Sequence, residues 1–207
     1  MANIWRSSRL TYRACDTADE AFFHNLSEDA EAWTNAAPFL PVPQGKEAAK
    51  SSVEWMKTCL LAVIICLPPD ESALAAATES EPAKPKPIGH ICLMQNAKFS
   101  HHRNAMIGFG IAREYQGKGY GTEAIQWVLK WGFRSGNLHK IEIGVFGWNP
   151  RALKLYEKLG FTHECRKREH LWYDGEYWDL IELGMIDREW KALYGQKSSD
   201  ELDGSSK

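Results

Sequence analysis

Apolar side chains recur along this chain with two periods, and the changes between them mark out its elements. The stretch 10–13 reads as a short strand. Asp16 or Thr17 is placed to cap a helix running to about Leu26, and a second helix is expected over 46–60. Between them, 30–42 reads as irregular and ends in a proline-rich run, Pro38-Phe39-Leu40-Pro41-Val42-Pro43. The segment 61–66 (Leu-Ala-Val-Ile-Ile-Cys) is apolar on both faces and predicts a buried strand. Two further strands are expected over 88–95 and 105–112, joined by a polar connection over 96–104.

From Gly119 the period changes. Gly121, Ala124, Ile125, Val128, Leu129 and Gly132 fall on one helical face, whose small residues allow close approach to a sheet. Ile141, Ile143 and Val145 alternate as in a strand. Asn149-Pro150 then starts a helix, with Asn as cap and Pro at the first helical position. Ala152, Leu155, Tyr156 and Leu159 line one face of it, and Gly160 stops it. Strands over 161–173 and 177–186 are joined by the tight turn Asp174-Gly175.

Composition refines this picture in four places. Residues 68–87 hold five of the chain's nine prolines among Ala, Ser, Glu and Lys, which predicts a flexible insertion between strands. Residues 195–207 read as a disordered tail, leaving 1–194 as a single domain. Nine Trp point first to an aromatic core, and secondly to a cleft lined with rings. The formal net charge of −2 and the isolated basic run Arg166-Lys167-Arg168 argue against nucleic acid as partner.

The five cysteines are odd in number, widely spaced and without a CxxC. They therefore fit neither a disulfide framework nor a zinc site, and a reducing, cytoplasmic compartment is expected. No apolar leader segment opens the sequence, and its longest apolar run is too short to span a bilayer, so no membrane association is expected. The seven histidines are scattered and no metal constellation is expected.

The strongest candidate for chemistry is the strand-to-helix junction Ile107-Gly108-Phe109-Gly110-Ile111-Ala112-Arg113-Glu114-Tyr115-Gln116-Gly117-Lys118-Gly119-Tyr120-Gly121-Thr122. Consecutive backbone N–H groups at such a turn converge on one spot, and a helix N-terminus adds about half a positive charge. Gly117, Gly119 and Gly121 carry no Cβ to block an approaching phosphate. A Walker A loop is excluded because Gly117-Lys118 is followed by Gly119 rather than Ser or Thr. A dinucleotide fingerprint is excluded by the GxGxG spacing. Taken alone, the segment is equally explained as a tight turn.

A second segment adds weight to the first. Gln116, Gly119 and Gly121 are followed by Asn149, Ala152, Tyr156, Gly160 and Phe161 in an Asn-x-x-Ala-x-x-x-Tyr-x-x-x-Gly-Phe pattern. With this pairing the sequence resembles the GNAT superfamily of N-acetyltransferases. The final hairpin, with Tyr173-Asp174-Gly175-Glu176-Tyr177-Trp178-Asp179, is similar to the branch that acetylates ribosomal proteins and spermidine. The resemblance is tight from about Ile88 to Trp190 and looser from Leu10 to Cys66.

The resemblance implies an α+β fold with a mixed, mostly antiparallel central sheet flanked by helices. In it the strands ending near Ala112 and Phe146 splay apart and admit the cofactor, acetyl-CoA. It further implies that the backbone amides of Gln116, Gly117, Lys118, Gly119, Tyr120, Gly121 and Thr122 hold the pyrophosphate. Ile111 and Ala112 would pair with the pantetheine arm, and Ile111 or a neighbour would polarise the thioester. Asn149 would bond the arm, with Ala152 in the same motif. Tyr156 would face the sulfur as acid, although it also reads as a core-facing residue with a satisfied hydroxyl.

An alkylamine has a pKa near 10, so a proton acceptor is useful to the reaction. The place where some of these enzymes carry a Glu falls near Gly144, which cannot act; Glu142, two residues away on the same strand face, is the candidate, acting through water. His101 and His102 read as solvated loop residues, and Glu169 and His170 either line the acceptor cleft or lie exposed. No cysteine lies in either motif, so direct transfer in a ternary complex is expected. The acceptor is a primary amine: a peptide or protein N-terminus, a polyamine or another small amine. A homodimer is compatible with the chain. A non-catalytic acyl-CoA-binding regulator and a module for some other nucleotide are the alternatives.

Overall fold

The computed structural model describes residues 3–69, 74–75, 77–78 and 83–195. Seven strands form one sheet: β1 Thr11–Ala14, β2 Leu61–Leu67, β3 Lys86–Met94, β4 Asn104–Ile111, β5 Lys140–Phe146, β6 Thr162–Tyr173 and β7 Glu176–Ile186. Their order is β1-β2-β3-β4-β5-β7-β6. Each neighbouring pair is antiparallel except β4 and β5, which run parallel. Six helices accompany the sheet among the described residues: α1 Glu20–Glu28, α2 Ala30–Ala36, α3 Lys46–Lys57, α4 Tyr120–Arg134, α5 Pro150–Lys158 and α6 Asp187–Tyr194. The expected α+β class is what is found.

The helices cover both faces because the strands are apolar on both. One core joins Val63, Ile65, Ile91, Leu93, Ile107, Ile141, Ile143 and Val145 to Ile125, Trp127 and Val128 of α4, Tyr156 of α5 and Trp190 of α6. Tyr12 stacks on Trp127 within it, with ring centroids 3.7 Å apart. The intervening residues Ile64, Cys66 and Cys92 face a second core with Phe23 of α1 and Ala49, Val53 and Met56 of α3. Of the nine Trp, Trp127 and Trp190 are buried in the core, while Trp5, Trp55 and Trp172 are exposed, so an aromatic core does not account for the Trp content.

Several boundaries differ from the sequence expectation. The stretch 30–42 is not wholly irregular, since Ala30–Ala36 is helical. Asp29 caps it, its carboxylate accepting from Ala32 N at 3.1 Å. The helix expected to start at Asp16 begins as a 3-10 turn, Thr17–Asp19, before α1. Asp16 and Asp19 there form a reciprocal capping box. α3 ends at Lys57 rather than at residue 60, and β3 starts at Lys86, two residues inside the segment read as an insertion. The rest of that reading falls partly on 70–73, 76 and 79–82, and the reading of the tail on 196–207; both lie outside the described residues. The Asp174-Gly175 turn is as expected, with φ of 51° and 82°, the doubly left-handed geometry of a two-residue hairpin.

Candidate active site

The site begins where the sheet opens. β4 and β5 pair only at residues 104–106 with 140–142. Beyond that β4 stays with β3 as far as Ile111, and β5 stays with β7 as far as Phe146. The two strands therefore diverge, leaving a gap between 107–111 and 143–146. Ala112 N donates to Ile88 O at 2.9 Å. The antiparallel ladder alternates, so Gly110 and Gly108 also direct their amides at β3. Phe109 and Ile111 turn theirs the other way, into the gap. Gln116 Nε2 donates to Ile111 O at 2.9 Å, which fixes this last residue and leaves its N–H as the group on offer. Ala112 has no such group: its N–H is bonded to β3 and its carbonyl accepts from Tyr115 N at 2.9 Å. Of the two residues expected to pair their backbone with the cofactor arm, Ile111 thus has a free N–H and Ala112 does not.

At the mouth of the gap the chain makes a tight turn into α4. Gly117 and Gly119 have φ of 76° and 83°, where glycine is favoured. Gly119 is the N-cap of α4 and no side chain caps the helix. Among the described residues the amides of 117–122 make no hydrogen bond, the first helical one being Glu123 N to Gly119 O. Gln116 N is different, because it donates to Arg113 O at 3.1 Å. Of the amides expected at the turn, that of Gln116 is therefore occupied within the chain, and its side chain holds Ile111 O. A Cβ on Gly121 would lie 3.2 Å from the Phe109 ring, so glycine there lets α4 close on β4.

Two guanidinium groups flank the turn, and the sequence reading did not single out either. A Cβ on Gly119 would meet Arg9 Nη2 at 3.2 Å, and one on Gly117 would meet Arg151 Nη2 at 3.7 Å. Arg9 is held by Glu123, Nε to Oε2 at 2.9 Å, and donates from Nη1 to Lys118 O at 2.9 Å. It also lies over the Tyr120 ring, 4.7 Å from its centroid. Lys118 lies over Tyr115 at 5.5 Å. An uncapped helix start, six unbonded amides, the anchored Arg9 and the nearby Arg151 suit a diphosphate.

The second motif lies on α5. Asn149 Oδ1 accepts from Ala152 N at 3.1 Å as the helix cap. The Asn149 amide NH2 stays available to a ligand, whereas the N–H of Ala152 does not. Tyr156 is 7% exposed, and its ring packs 6.2 Å from that of Phe161. Its hydroxyl makes no hydrogen bond to another described residue, and burial is the one influence acting on it. Burial pushes the phenol up to about 12, so it stays protonated.

Glu142 is placed otherwise than expected. It pairs with Met106, where β4 and β5 are still joined, and so lies at the closed end of the gap. Lys140 Nζ neutralises it at 3.0 Å and bridges to Glu164 as well. Its alternation with Ile141 and Ile143 also sets it on the sheet face opposite Tyr156. Glu142 shares the strand face of Gly144, but the β4–β5 pairing extends as far as its own position. His101 and His102 lie exposed in a 3-10 turn, and Glu169 and His170 are exposed on β6.

Near the open end of β5 several rings gather. Trp148 stacks on Tyr173 at 4.5 Å and meets Phe146 at 4.8 Å and Trp178 at 6.2 Å. Thr34 of α2 reaches the Tyr173 hydroxyl at 3.5 Å. Arg113 fastens the start of α2 to the end of β4 through Asp29 at 2.7 Å and through Glu31. Among the described residues no group of three or more metal-ligating side chains occurs, and no helix is long and apolar enough to cross a membrane.

A sheet parted at its one parallel pair, with an anion cradle at the mouth, is the framework of an acyl-CoA-dependent transferase. The acetyltransferase (GNAT) domain model matches residues 9–162, and the chain belongs to this family. It is an acetyl-CoA-dependent N-acetyltransferase. Among relatives, the spermidine N(1)-acetyltransferase of Vibrio cholerae is 28% identical over 182 residues, 87% of this chain and 94% of that one. The Escherichia coli K12 enzyme of the same name is 32% identical over 101 residues, 48% of this chain and 54% of that one. A crystal structure of the Vibrio cholerae enzyme with CoA and spermine superposes with a TM-score of 0.69 at 25% identity, covering 88% and 98% of the two chains. Another structure of that enzyme is dodecameric, with a TM-score of 0.65 and 26% identity over 92% of this chain and 99% of that one.

Proposed function

We propose that this enzyme acetylates a primary aliphatic amine of the polyamine class, by direct attack in a ternary complex with acetyl-CoA. The observation that carries the reading is the continuity of the β4–β5 gap with the unbonded amides of 117–122. Those amides, with Arg9 and Arg151, hold the diphosphate. The Ile111 and Phe109 amides and the Asn149 side chain align the arm, and the half-buried Ala152 packs beside it. The Ile111 N–H stabilises the oxyanion of the tetrahedral intermediate. Tyr156 donates a hydrogen bond to the leaving sulfur. A phenol near 12 is a weaker acid than a thiol near 8.5, so it stabilises the thiolate without surrendering its proton.

The Vibrio cholerae complex with spermine supports a polyamine acceptor, and aromatic faces such as those of Trp148 and Trp178 attract ammonium groups. One observation favours a second reading, a peptide or protein N-terminus: the indole N–H groups of Trp33 and Trp148 are buried without partners. Peptide carbonyls would satisfy such donors. Thiol release from acetyl-CoA with spermidine, monoamines and short peptides tests both. Turnover of polyamines above that of peptides supports the first reading; release with peptides alone replaces it with the second, and CoA binding without release to any amine refutes both.

One domain, residues 1–194, carries this activity in our reading. Assembly into at least a homodimer is supported by the dodecameric relative and is tested by light scattering. Five free thiols support a reducing, cytoplasmic location, tested by fractionation.

A further inference from the structure

The gap lacks a proton acceptor on β4 itself. Side chains of β4 alternate, and Ile107, Phe109 and Ile111 point into the core shared with α4. The positions that face the opposite side, towards α1 and α3, are Gly108 and Gly110. The strand that lines the thioester therefore has no side chain on that face beside Ile111. The volume is filled from β3. His90 is paired with Gly110 in register, and a Cβ on Gly110 would meet His90 Cε1 at 2.8 Å and Nδ1 at 3.3 Å. Any larger residue at position 110 would displace the imidazole.

The ring is held but not hydrogen-bonded. Phe23 of α1 packs against it at 5.3 Å between centroids. Nδ1 is buried without a partner, a rare condition in a folded protein. The residue as a whole is half-buried, and Nε2 is not among the buried atoms that lack a partner. Titratable neighbours on this face are the thiols Cys92 on β3 and Cys66 on β2. The Arg13–Asp19 ion pair lies over β1, two strands away, and His24 follows Phe23 on α1. α3 presents Ala49, Val53 and Met56, and β4 presents glycine. Burial accordingly lowers the imidazole to about 4, which keeps it neutral at working pH.

We propose that His90, leaning over Gly110, accepts the proton of the attacking amine, directly or through one water. This rests on the reading that acetyl-CoA occupies the β4–β5 gap. The amine nitrogen forms the bond to the thioester carbonyl carbon and loses one proton to His90 Nε2. The C–S bond breaks with its electron pair left on sulfur. The imidazolium returns its proton to solvent, from which the thiolate is protonated, so the products are the amide and CoA thiol. The role requires the Nδ1–H tautomer, with the Nε2 lone pair towards the amine.

The test is kinetic and uses the full chain. His90→Gln should bind acetyl-CoA within threefold of wild type by calorimetry, yet lose about 100-fold in kcat/KM for the amine at pH 7. The deficit should narrow towards pH 9.5 as hydroxide takes over the proton, whereas a structural defect would be the same at every pH. His90→Ala should regain turnover in free imidazole. Should either variant fail to fold, nitrogen NMR of wild-type His90 serves: the Nε2 resonance shifts when CoA and amine bind together if the proposal holds. An unmoved Nε2 resonance overturns it. So does His90→Gln with normal CoA affinity and kcat/KM within threefold of wild type. Wild type that binds no acetyl-CoA would instead overturn the cofactor reading on which it rests.

Discussion

Tyr156→Phe separates chemistry from architecture because the hydroxyl it removes makes no hydrogen bond to another described residue. Deleting a buried hydroxyl usually strands its partner and costs about 1–3 kcal/mol. Here no such partner exists among the described residues, and the ring, 7% exposed against Phe161, is unchanged. The variant should therefore melt at or above the wild-type temperature and bind acetyl-CoA with the same affinity. In the proposed reaction the phenol donates to a developing thiolate, and a hydrogen bond to a charged group contributes about 1.5–3 kcal/mol. Losing it should lower kcat by about 10- to 150-fold. The phenol titrates near 12, so it is fully protonated between pH 6 and 10 and the shape of the pH profile should not change. Stopped-flow thiol release, calorimetry with acetyl-CoA and thermal melting measure these three quantities. An unchanged kcat would refute the role of Tyr156, and a lowered Tm would refute the claim that its hydroxyl is unpartnered.

Three further perturbations have distinct outcomes. Gly119→Glu places a carboxylate at φ 83° against Arg9 and at the head of α4, and calorimetry should detect no CoA binding. Arg113→Ala frees the start of α2 from β4 and should raise KM for the amine severalfold while CoA affinity holds, as steady-state kinetics would show. Asp19→Asn keeps an acceptor for Asp16 N but loses the charged pair with Arg13, and chemical denaturation should show a loss of about 1–3 kcal/mol. Burial raises the Asp19 carboxyl, but bonds from Arg13 and Asp16 outweigh it and the net pKa is lowered. Its contribution is thus complete above the unfolded value near 3.9 and lost as pH falls below it, and the variant and wild type should converge in stability under acid.

The parts of the site visible in the sequence are those enforced locally. Gly117 and Gly119 adopt φ values that favour glycine, and Asn149-Pro150 cap a helix by their own side chains, so the motif is its own geometry. Asp174-Gly175 dictates its turn in the same way. What stayed hidden depends on partners far along the chain. Arg9 reaches the cradle through Glu123, 114 residues away, and nothing around Arg9 in sequence marks it. His90 is a lone histidine in an apolar strand until the β3–β4 register sets it over Gly110. Glu142 looked apt by face, but the point at which β4 leaves β5 decides which end of the gap it occupies. The helix α2 was concealed by the neighbouring prolines although Asp29 signals its start.

The most direct measurement is a crystal structure of the full chain with coenzyme A. The diphosphate should lie on the amides of 117–122 between Arg9 and Arg151, with the arm entering beside Ile111 and the sulfur within reach of Tyr156. Coenzyme A bound elsewhere, with those amides facing solvent and the β4–β5 gap empty, would contradict this placement.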